Sequence, residues 1–547
     1  MASLVFRSVL VLTLLFALVF AVGIVVNAFL GLPIWTAAFW AILVVFLEYL
    51  LGPFILEWLF TIEWVEPEDL SPELAAFAVG VCAERGIPLP RFGLIDDGNP
   101  NAFTFGHWPR NARLVITQGI LDLLTPEEQQ AVVAHELGHI ARWDFVIMTW
   151  AAAVPLVLYV LADATWRSAG DADEGAGALL AVGVVSYAAY LASQFIVLLL
   201  SRVREYLADQ FSASVTGDPD QLASALVKIA YGLAQPTEVA RTKKNEQAAQ
   251  ERAAARRRSG AKAFGIFDPN TAQALALVEA GTGGVSMEAI TEAMKWDLWN
   301  PWSIWFEATS SHPLPAKRIA ALERQTRALG RPSRFSFRIQ QPEGYWDEFL
   351  FDLGIMLLPL IGVLVGLAVG VLTLGMGLLL YPLIVGVFWW VKLRRVYPQR
   401  FDEQRTVSSL VGEVKVSSMR PIPCTVKGKI IGRGVPGLFY SEDLVLQDDT
   451  GFIVLDYRQP IGFLEFLFGW LKARDLIGLS GTVRGWYRRD PRPVFELREM
   501  TLEDDTKVKS YFYPFRPIIN YILTMIGAPI LLVTVLFTLS VLLELFM

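Results

Sequence analysis

The strongest constraint on the fold of this chain is a set of apolar segments long enough to cross a lipid bilayer, which takes about 20 consecutive apolar residues in a helix. Val9 to Phe29 is one, and Ile34 to Leu59 is another, with Glu48 and Glu57 inside it. Phe145 to Ala162 and Leu179 to Leu200 follow; Leu353 to Val391 has room for a hairpin of two spans, and Pro517 to Met547 for one tilted span or two very short ones. The first segment has no small-residue cleavage site after a short apolar core, so it is expected to remain as an anchor. Composition agrees: 54% of residues are hydrophobic and 18% charged, against about a quarter charged in ordinary soluble domains. The pattern is that of a multi-span α-helical membrane protein with soluble parts.

Lys and Arg mark the cytoplasmic side of such proteins. Arg7 precedes the first segment, and Arg202 and Arg204 follow the fourth. The run RTKKNEQAAQERAAARRRSGAK (241–262) comes soon after, and Lys392, Arg394, Arg395 and Arg400 follow the 353–391 hairpin. The connection DATWRSAGDADEG (163–175) is mostly acidic. If the first two spans form a hairpin, every basic cluster lies on one side. Segments 60–144, 201–352 and 392–516 are then expected in the cytoplasm, at the cell (plasma) membrane. The basic run 241–262 reads as a solvated helix or a linker near anionic headgroups. The two cysteines, Cys82 and Cys424, are far apart and outside any CxxC pattern, so no disulfide framework is expected.

Between the spans, SPELAAFAVGVCAERG (71–86) reads as an amphipathic helix with Ser71 as N-cap. RFGLIDD, NAFTFG and ARLVITQG read as strands. Thr125, Pro126 and Glu128 then form a capping box that starts a helix. Residues 401–510 change character, with five strand-like runs and the apolar helical stretch IGFLEFLFGWLKA (461–473) between the third and fourth. That is the order of an all-β OB-type barrel. RGWYRRDPR (484–492) offers basic and aromatic residues for nucleic acid, but Glu496, Glu499, Glu503, Asp504 and Asp505 follow at once, which argues against a phosphate-binding groove. The 461–473 stretch fits either a membrane-surface helix or a plug in the barrel core.

The helix that starts at Thr125 carries HELGH, residues 135–139. Positions four apart share a helix face, so His135 and His139 can bind one zinc ion. Glu136 beside them is placed to take a proton from an attacking water. A peptidase zinc needs a third protein ligand. The fourth span ends in SRVREYLADQFSA (201–213), where Glu205 is a candidate ligand and Asp209, one turn on, a candidate acceptor for a ring N–H of a zinc-bound histidine. E-x-x-x-D alone is usually a solvated helix face. Its place at the end of a span, level with the HELGH helix, is what favours the ligand reading.

HELGH, a pair of spans, EYLAD and TSSHPLPAKRI (309–319) together resemble the HtpX-type membrane zinc metallopeptidases, relatives of the CAAX prenyl endopeptidases. The resemblance covers about residues 1–330 and includes the strand at Asn101-Ala102-Phe103. It implies His135, His139 and Glu205 as zinc ligands and Glu136 as general base. It also implies His312 as a donor to the oxyanion, Arg318 as an orienting charge, and an α+β zincin-like catalytic domain at the membrane surface. Asn101, Ala102 and Phe103 would form an edge that pairs with an extended polypeptide substrate by strand addition.

The chain then divides into a transmembrane hairpin (1–60), a metallopeptidase domain (61–345) with its own hairpin near 145–200, a second hairpin (346–400), an OB-like barrel (401–512) and a C-terminal segment (513–547). The expected function is zinc-dependent cleavage of membrane proteins or their cytoplasmic segments. Its rivals are a narrow protease for a lipidated or specific peptide and a silent membrane scaffold that binds a partner through the barrel.

Overall fold

The computed structural model describes residues 36–170, 175–232, 287–335, 343–373, 376–490 and 492–513, with single positions elsewhere. The segment 9–29, the run 241–262 and, apart from single positions, the segment 517–547 lie outside the described residues.

Helix α1 (Thr36–Leu59) leads into a four-stranded sheet. Its strands are β1 (Glu63–Val65), β2 (Arg91–Ile95), β3 (Ala102–Phe105) and β4 (Arg113–Thr117), in the order β1-β2-β4-β3. Only β2 and β4 pair in parallel. The sheet explains an acid at the end of an apolar helix: Glu57 Oε1 lies 2.7 Å from Arg113 Nη2 of β4. Helix α2 (Pro72–Arg85) starts as expected, with Ser71 Oγ accepting from Leu74 N at 3.1 Å. Helix α3 (Pro126–Ala141) carries HELGH, and its capping box forms as expected: Thr125 Oγ1 accepts from Glu128 N, and Glu128 Oε2 from Thr125 N.

Helices α4 (Asp144–Gly170) and α5 (Ala176–Thr216) pack along one another. Together with α9 below, they are the three described helices long and apolar enough to cross a membrane. HELGH lies directly before the apolar run 145–162, so one continuous helix would carry both. The chain breaks there instead: α3 ends at Ala141, Trp143 takes a left-handed φ of 61°, and α4 starts at Asp144. The 41 residues of α5 make a rod of about 60 Å, twice the ~30 Å hydrocarbon core. Its last turns therefore extend beyond the bilayer while remaining one rigid body with the span.

Helices α6 (Pro219–Tyr231), α7 (Met287–Trp299) and α8 (Pro315–Ala328) complete the α+β part. The hairpin expected at 353–391 is formed by α9 (Trp346–Leu372) and α10 (Tyr381–Val396), which pack on each other. The barrel strands are β5 (Ile422–Arg433), β6 (Leu444–Gln447), β7 (Phe452–Asp456), β8 (Ser480–Asp490) and β9 (Arg492–Leu502), with a short β10 (Lys507–Lys509) added to β9. The order β9-β7-β6-β5-β8 closes through β9–β8 pairing, with β7 and β9 parallel. Helix α11 (Gly462–Leu471) connects β7 to β8, between the third and fourth strands of the barrel. This is the OB topology expected from the sequence.

One buried apolar core runs from α2, α3, α6, α7 and α8 into the barrel, where Cys424, Val426, Tyr487 and Phe495 continue it. Cys82 and Cys424 are both free and buried. The barrel presses closely on α6: Phe452 N donates to Gly232 O at 2.9 Å, and a Cβ at Gly232 would stand 2.2 Å from Phe452 O. At the centre of the junction, Arg489 Nη2 of β8 lies 2.9 Å from Asp297 Oδ1 of α7. Asp297 Oδ2 accepts from Tyr231 Oη at 2.6 Å and from Ala316 N, in the first turn of α8, at 3.3 Å. Burial raises the Asp297 carboxyl above its ordinary value, and the Arg489 guanidinium opposes that rise without cancelling it.

Arg489→Met leaves the Asp297 charge buried without its cation. It is expected to cost about 3–5 kcal/mol of stability, read as an earlier urea midpoint in detergent. Adding Asp297→Asn should recover part of that loss.

Candidate metal and active site

His135 and His139 share one face of α3, and their Nε2 atoms lie 3.2 Å apart. The Glu205 carboxylate of α5 stands 3.7 Å from His135 Nε2 and 3.6 Å from His139 Nε2. Donor atoms of the three residues all fall within 4.8 Å of one another. An ion bound by imidazole at about 2.0–2.1 Å in tetrahedral geometry has ligand-to-ligand edges of about 3.3–3.5 Å. The three donors fit the corners of such a shell.

The far side of each ring is fixed by a carboxylate. His135 Nδ1 lies 3.0 Å from Asp209 Oδ1, and His139 Nδ1 lies 2.6 Å from Asp144 Oδ2. Each acid selects the tautomer with its proton on Nδ1 and leaves the Nε2 lone pair facing inward. Two lone pairs facing each other at this distance repel unless a cation lies between them. The donor set therefore fits a metal ion.

Close helix packing brings α5 to the histidines. A Cβ at Gly138 would stand 3.1 Å from Phe211 Cβ and 3.2 Å from Ala208 Cα, so the glycine inside HELGH lets α3 approach α5. Ser212 Oγ donates to Ala131 O at 2.7 Å across the same contact. Arg318 on α8 bridges both acids of EYLAD: Nε donates to Asp209 Oδ2 at 2.9 Å, Nη2 to Asp209 Oδ1 at 2.5 Å, and Nη1 lies 3.1 Å from Glu205 Oε2. Burial alone lowers the Arg318 guanidinium, but Asp209 and Glu205 outweigh it, raise it above its ordinary value and keep it charged. His312 Nδ1 lies 3.1 Å from Glu205 Oε1. His312 Nε2 is buried and has no hydrogen-bond partner among the described residues.

Glu136 is buried on α3. Its Oε2 accepts from Thr104 Oγ1 of β3 at 3.1 Å, and its Oε1 has no partner among the described residues. Strand β3 is a sheet edge, paired on one side by β4. Strand alternation divides the NAF residues. Ala102 joins the core with α3, whereas the Phe103 side chain turns to the opposite face, against Phe60 at a ring-centroid distance of 5.6 Å. Asn101 precedes the strand and is buried, its N donating to Thr117 Oγ1 at 2.7 Å. Thr117 N donates to Asn101 O at 2.9 Å, so in this register the backbone groups of Phe103 also face β4, and those of Ala102 and Thr104 face the open edge.

Asp144 and Thr104 were not singled out in the sequence. Asp144 follows His139 by five positions, which on an unbroken helix lies well around the barrel of the helix from it. Only the left-handed turn at Trp143 returns it to the His139 ring, and a bulky residue at positive φ is a strained outlier. Arg204 of α5 holds that turn closed: it ion-pairs with Asp144, and its Nη2 donates to Arg142 O at 2.9 Å. The fourth histidine, His107, is structural, with Nε2 on Leu50 O and Nδ1 on Asn111 Oδ1, each at 2.9 Å.

Residues 69–326 match Peptidase family M48. Over 230 residues the chain is 39% identical to the Protease HtpX homolog of Methanothermobacter thermautotrophicus, covering 42% of this chain and 86% of that protein. The chain belongs to peptidase family M48. The M48 match contains HELGH, EYLAD and HPLPAKRI and excludes the barrel. The Protease HtpX homolog of Pyrococcus abyssi is 37% identical over 166 residues, covering 30% of this chain and 57% of that protein, so the chain spans little more than half of it. The crystal structure of S. mikatae Ste24p matches with a TM-score of 0.34 at 18% identity, over 59% of this chain and 66% of that one.

In this M48 chain, Asp144→Asn removes the negative charge beside the His139 ring and turns one of the two carboxylate acceptors, which serve His139 and Arg204, into a donor. It is expected to weaken metal affinity about 10–100-fold, measured by competition with a chromogenic chelator, with helical circular dichroism unchanged.

Proposed function

We propose that this M48 peptidase is a zinc-dependent endopeptidase embedded in the cell membrane, which cleaves membrane proteins or their cytoplasmic segments. The observation that carries the reading is the meeting of three elements at one point: the paired Nε2 atoms of α3, the Glu205 carboxylate of α5 and the unpaired Glu136 Oε1 beside the edge strand β3. A donor set of two imidazoles and one carboxylate is that of catalytic zinc sites, which keep one position open. Zinc bound by His135, His139 and Glu205 supplies the Lewis acidity that activates water and polarises the scissile carbonyl.

The chain's own residues do the rest. An extended substrate segment adds to the β3 edge through the backbone groups of Ala102 and Thr104, which face away from β4, and this selects unfolded or locally unwound polypeptide. Glu136 Oε1 takes the proton of the attacking water while Thr104 Oγ1 holds the other carboxylate oxygen, and Glu136 returns that proton to the leaving amine. His312 turns Nδ1 to Glu205 Oε1, and with protons on both ring nitrogens its Nε2 donates to the oxygen on which negative charge develops. Arg318 touches no substrate in this scheme; it positions Glu205 and supports Asp209 against His135.

Residues 61–345 form the catalytic part in this reading, between membrane hairpins at 1–60 and 346–400, with the barrel at 401–512 and a further membrane segment at 513–547. The catalytic and barrel parts face the cytoplasm in this reading, which the placement of the basic clusters supports when the first two spans form a hairpin.

The test compares the native protein with Glu136→Gln in detergent, measuring zinc content and cleavage of unfolded casein. Both should bind zinc, and the variant should lose cleavage by about 10²–10⁴-fold. Zinc in both with cleavage by neither would point to a narrow substrate. Zinc in neither would overturn the reading. A chelator should abolish cleavage, and added zinc should restore it.

A further inference from the structure

Segment 461–473 fitted either a membrane-surface helix or a plug of the barrel core. The fold separates its residues. Phe468 turns inward, its ring centroid 4.0 Å from that of Tyr457. Phe463 is 63% exposed and Trp470 44%, and Ile461, Leu464 and Leu471 are exposed with them. The one charged residue inside α11 goes the other way. Glu465 is fully buried, and its Oε1 accepts from the Gln459 backbone N–H at 2.7 Å. A helix on the water-facing surface of a protein has the opposite arrangement, with its charge outside and its aromatics inside.

The surroundings of α11 indicate what covers this face. The barrel loop 434–442 is anchored to the end of α1. Phe60 and Leu438 form a β-bridge, Thr61 N donates to Gly437 O at 3.0 Å, and Val435 and Leu438 share a core with Leu56, Leu59 and Phe60. The same loop holds α11: the Tyr440 and Phe466 rings are 5.5 Å apart, and a Cβ at Gly469 would stand 2.1 Å from Tyr440 O. Helix α1 packs against the span α4 and leaves Phe46, Leu50, Leu51, Phe54 and Trp58 exposed. The exposed face of α11 is thus tied through one short loop to the end of a helix whose own outer face is apolar. A polypeptide partner would explain α11 alone; the bilayer covers both.

We infer that α11 lies flat in the membrane interface, with Ile461, Phe463, Leu464, Trp470 and Leu471 toward the acyl chains, and that the barrel is thereby a second membrane contact of the catalytic body. Ten residues reach about 15 Å, half of the ~30 Å hydrocarbon core, so α11 rests on the bilayer without crossing it. Interfacial helices bury their apolar face by about 5–10 Å. Lys472 and Arg474 follow at its end, exposed to anionic headgroups, with the exposed Asp475 offsetting one of the two charges. With α1 on one side and α11 on the other, the barrel loop between them is fixed in height above the lipid.

The experiment uses the full chain in lipid vesicles. Phe463→Cys carries an environment-sensitive fluorophore, and Glu503→Cys, in the exposed turn after β9, serves as the aqueous control. The native chain, whose Cys82 and Cys424 are buried, gives the background. The expected result is a blue-shifted emission at position 463 that is lost on adding lipids with a nitroxide near the headgroup. A nitroxide at the chain end should quench less, and neither lipid should quench position 503. Equal aqueous quenching at both positions overturns the inference. So does a blue shift that appears only with added polypeptide, or one that vanishes when the protein is diluted to a single copy per vesicle. None of these readings depends on peptidase activity.

Discussion

The guanidinium of Arg318 is the cation on which the site depends. Two carboxylates, Glu205 and Asp209, are buried one turn apart on α5, and their charges are tolerable only beside a cation that is itself buried and geometrically matched. Arg318 takes Asp209 with two nitrogens and Glu205 with the third. Asp209 in turn orients His135, and Glu205 faces both histidines. One side chain from α8 therefore sets the position of donors on α3 and α5. This satisfies the buried acids and leaves the inward lone pairs free.

That arrangement reaches beyond the catalytic part. Helix α8 begins at Pro315, three residues before Arg318, and the N–H of its second residue, Ala316, is held by Asp297. Asp297 is held by Arg489 of the barrel. A continuous path of buried polar contacts thus links a barrel strand to the residue that orders the site. The shared apolar core makes the same connection through packing. The barrel is consequently part of the body that carries the site, joined to it through α8.

The membrane enters through rigid elements. Helix α5 is at once a span and the carrier of Glu205 and Asp209, so these acids cannot move relative to the bilayer without tilting a 41-residue helix. The motif helix α3 is joined to its span by a strained turn instead. At that turn Arg204 fastens Asp144, which fastens His139. The break converts a residue that would face away on a straight helix into a partner for the metal-facing ring.

The sequence alone determined what depends on local spacing. The four-residue interval of HELGH, the capping box at Thr125, the length of the apolar runs and the five strand patterns of the barrel are short-range signals, and the folded elements follow them. Glu205, Asp209, His312 and Arg318 were legible as candidates because their motifs resemble a known set, yet nothing in their own periodicity brings three distant helices together. Only the tertiary structure decided that convergence, through the close approach at Gly138 and the reach of one arginine. It also decided the parts of Asp144 and Thr104, which depend on a backbone turn and on a strand's pairing partner. Finally, it decided which way α11 faces. Pattern shows that a helix is apolar, but whether its charge points in or out depends on what the rest of the chain packs against it.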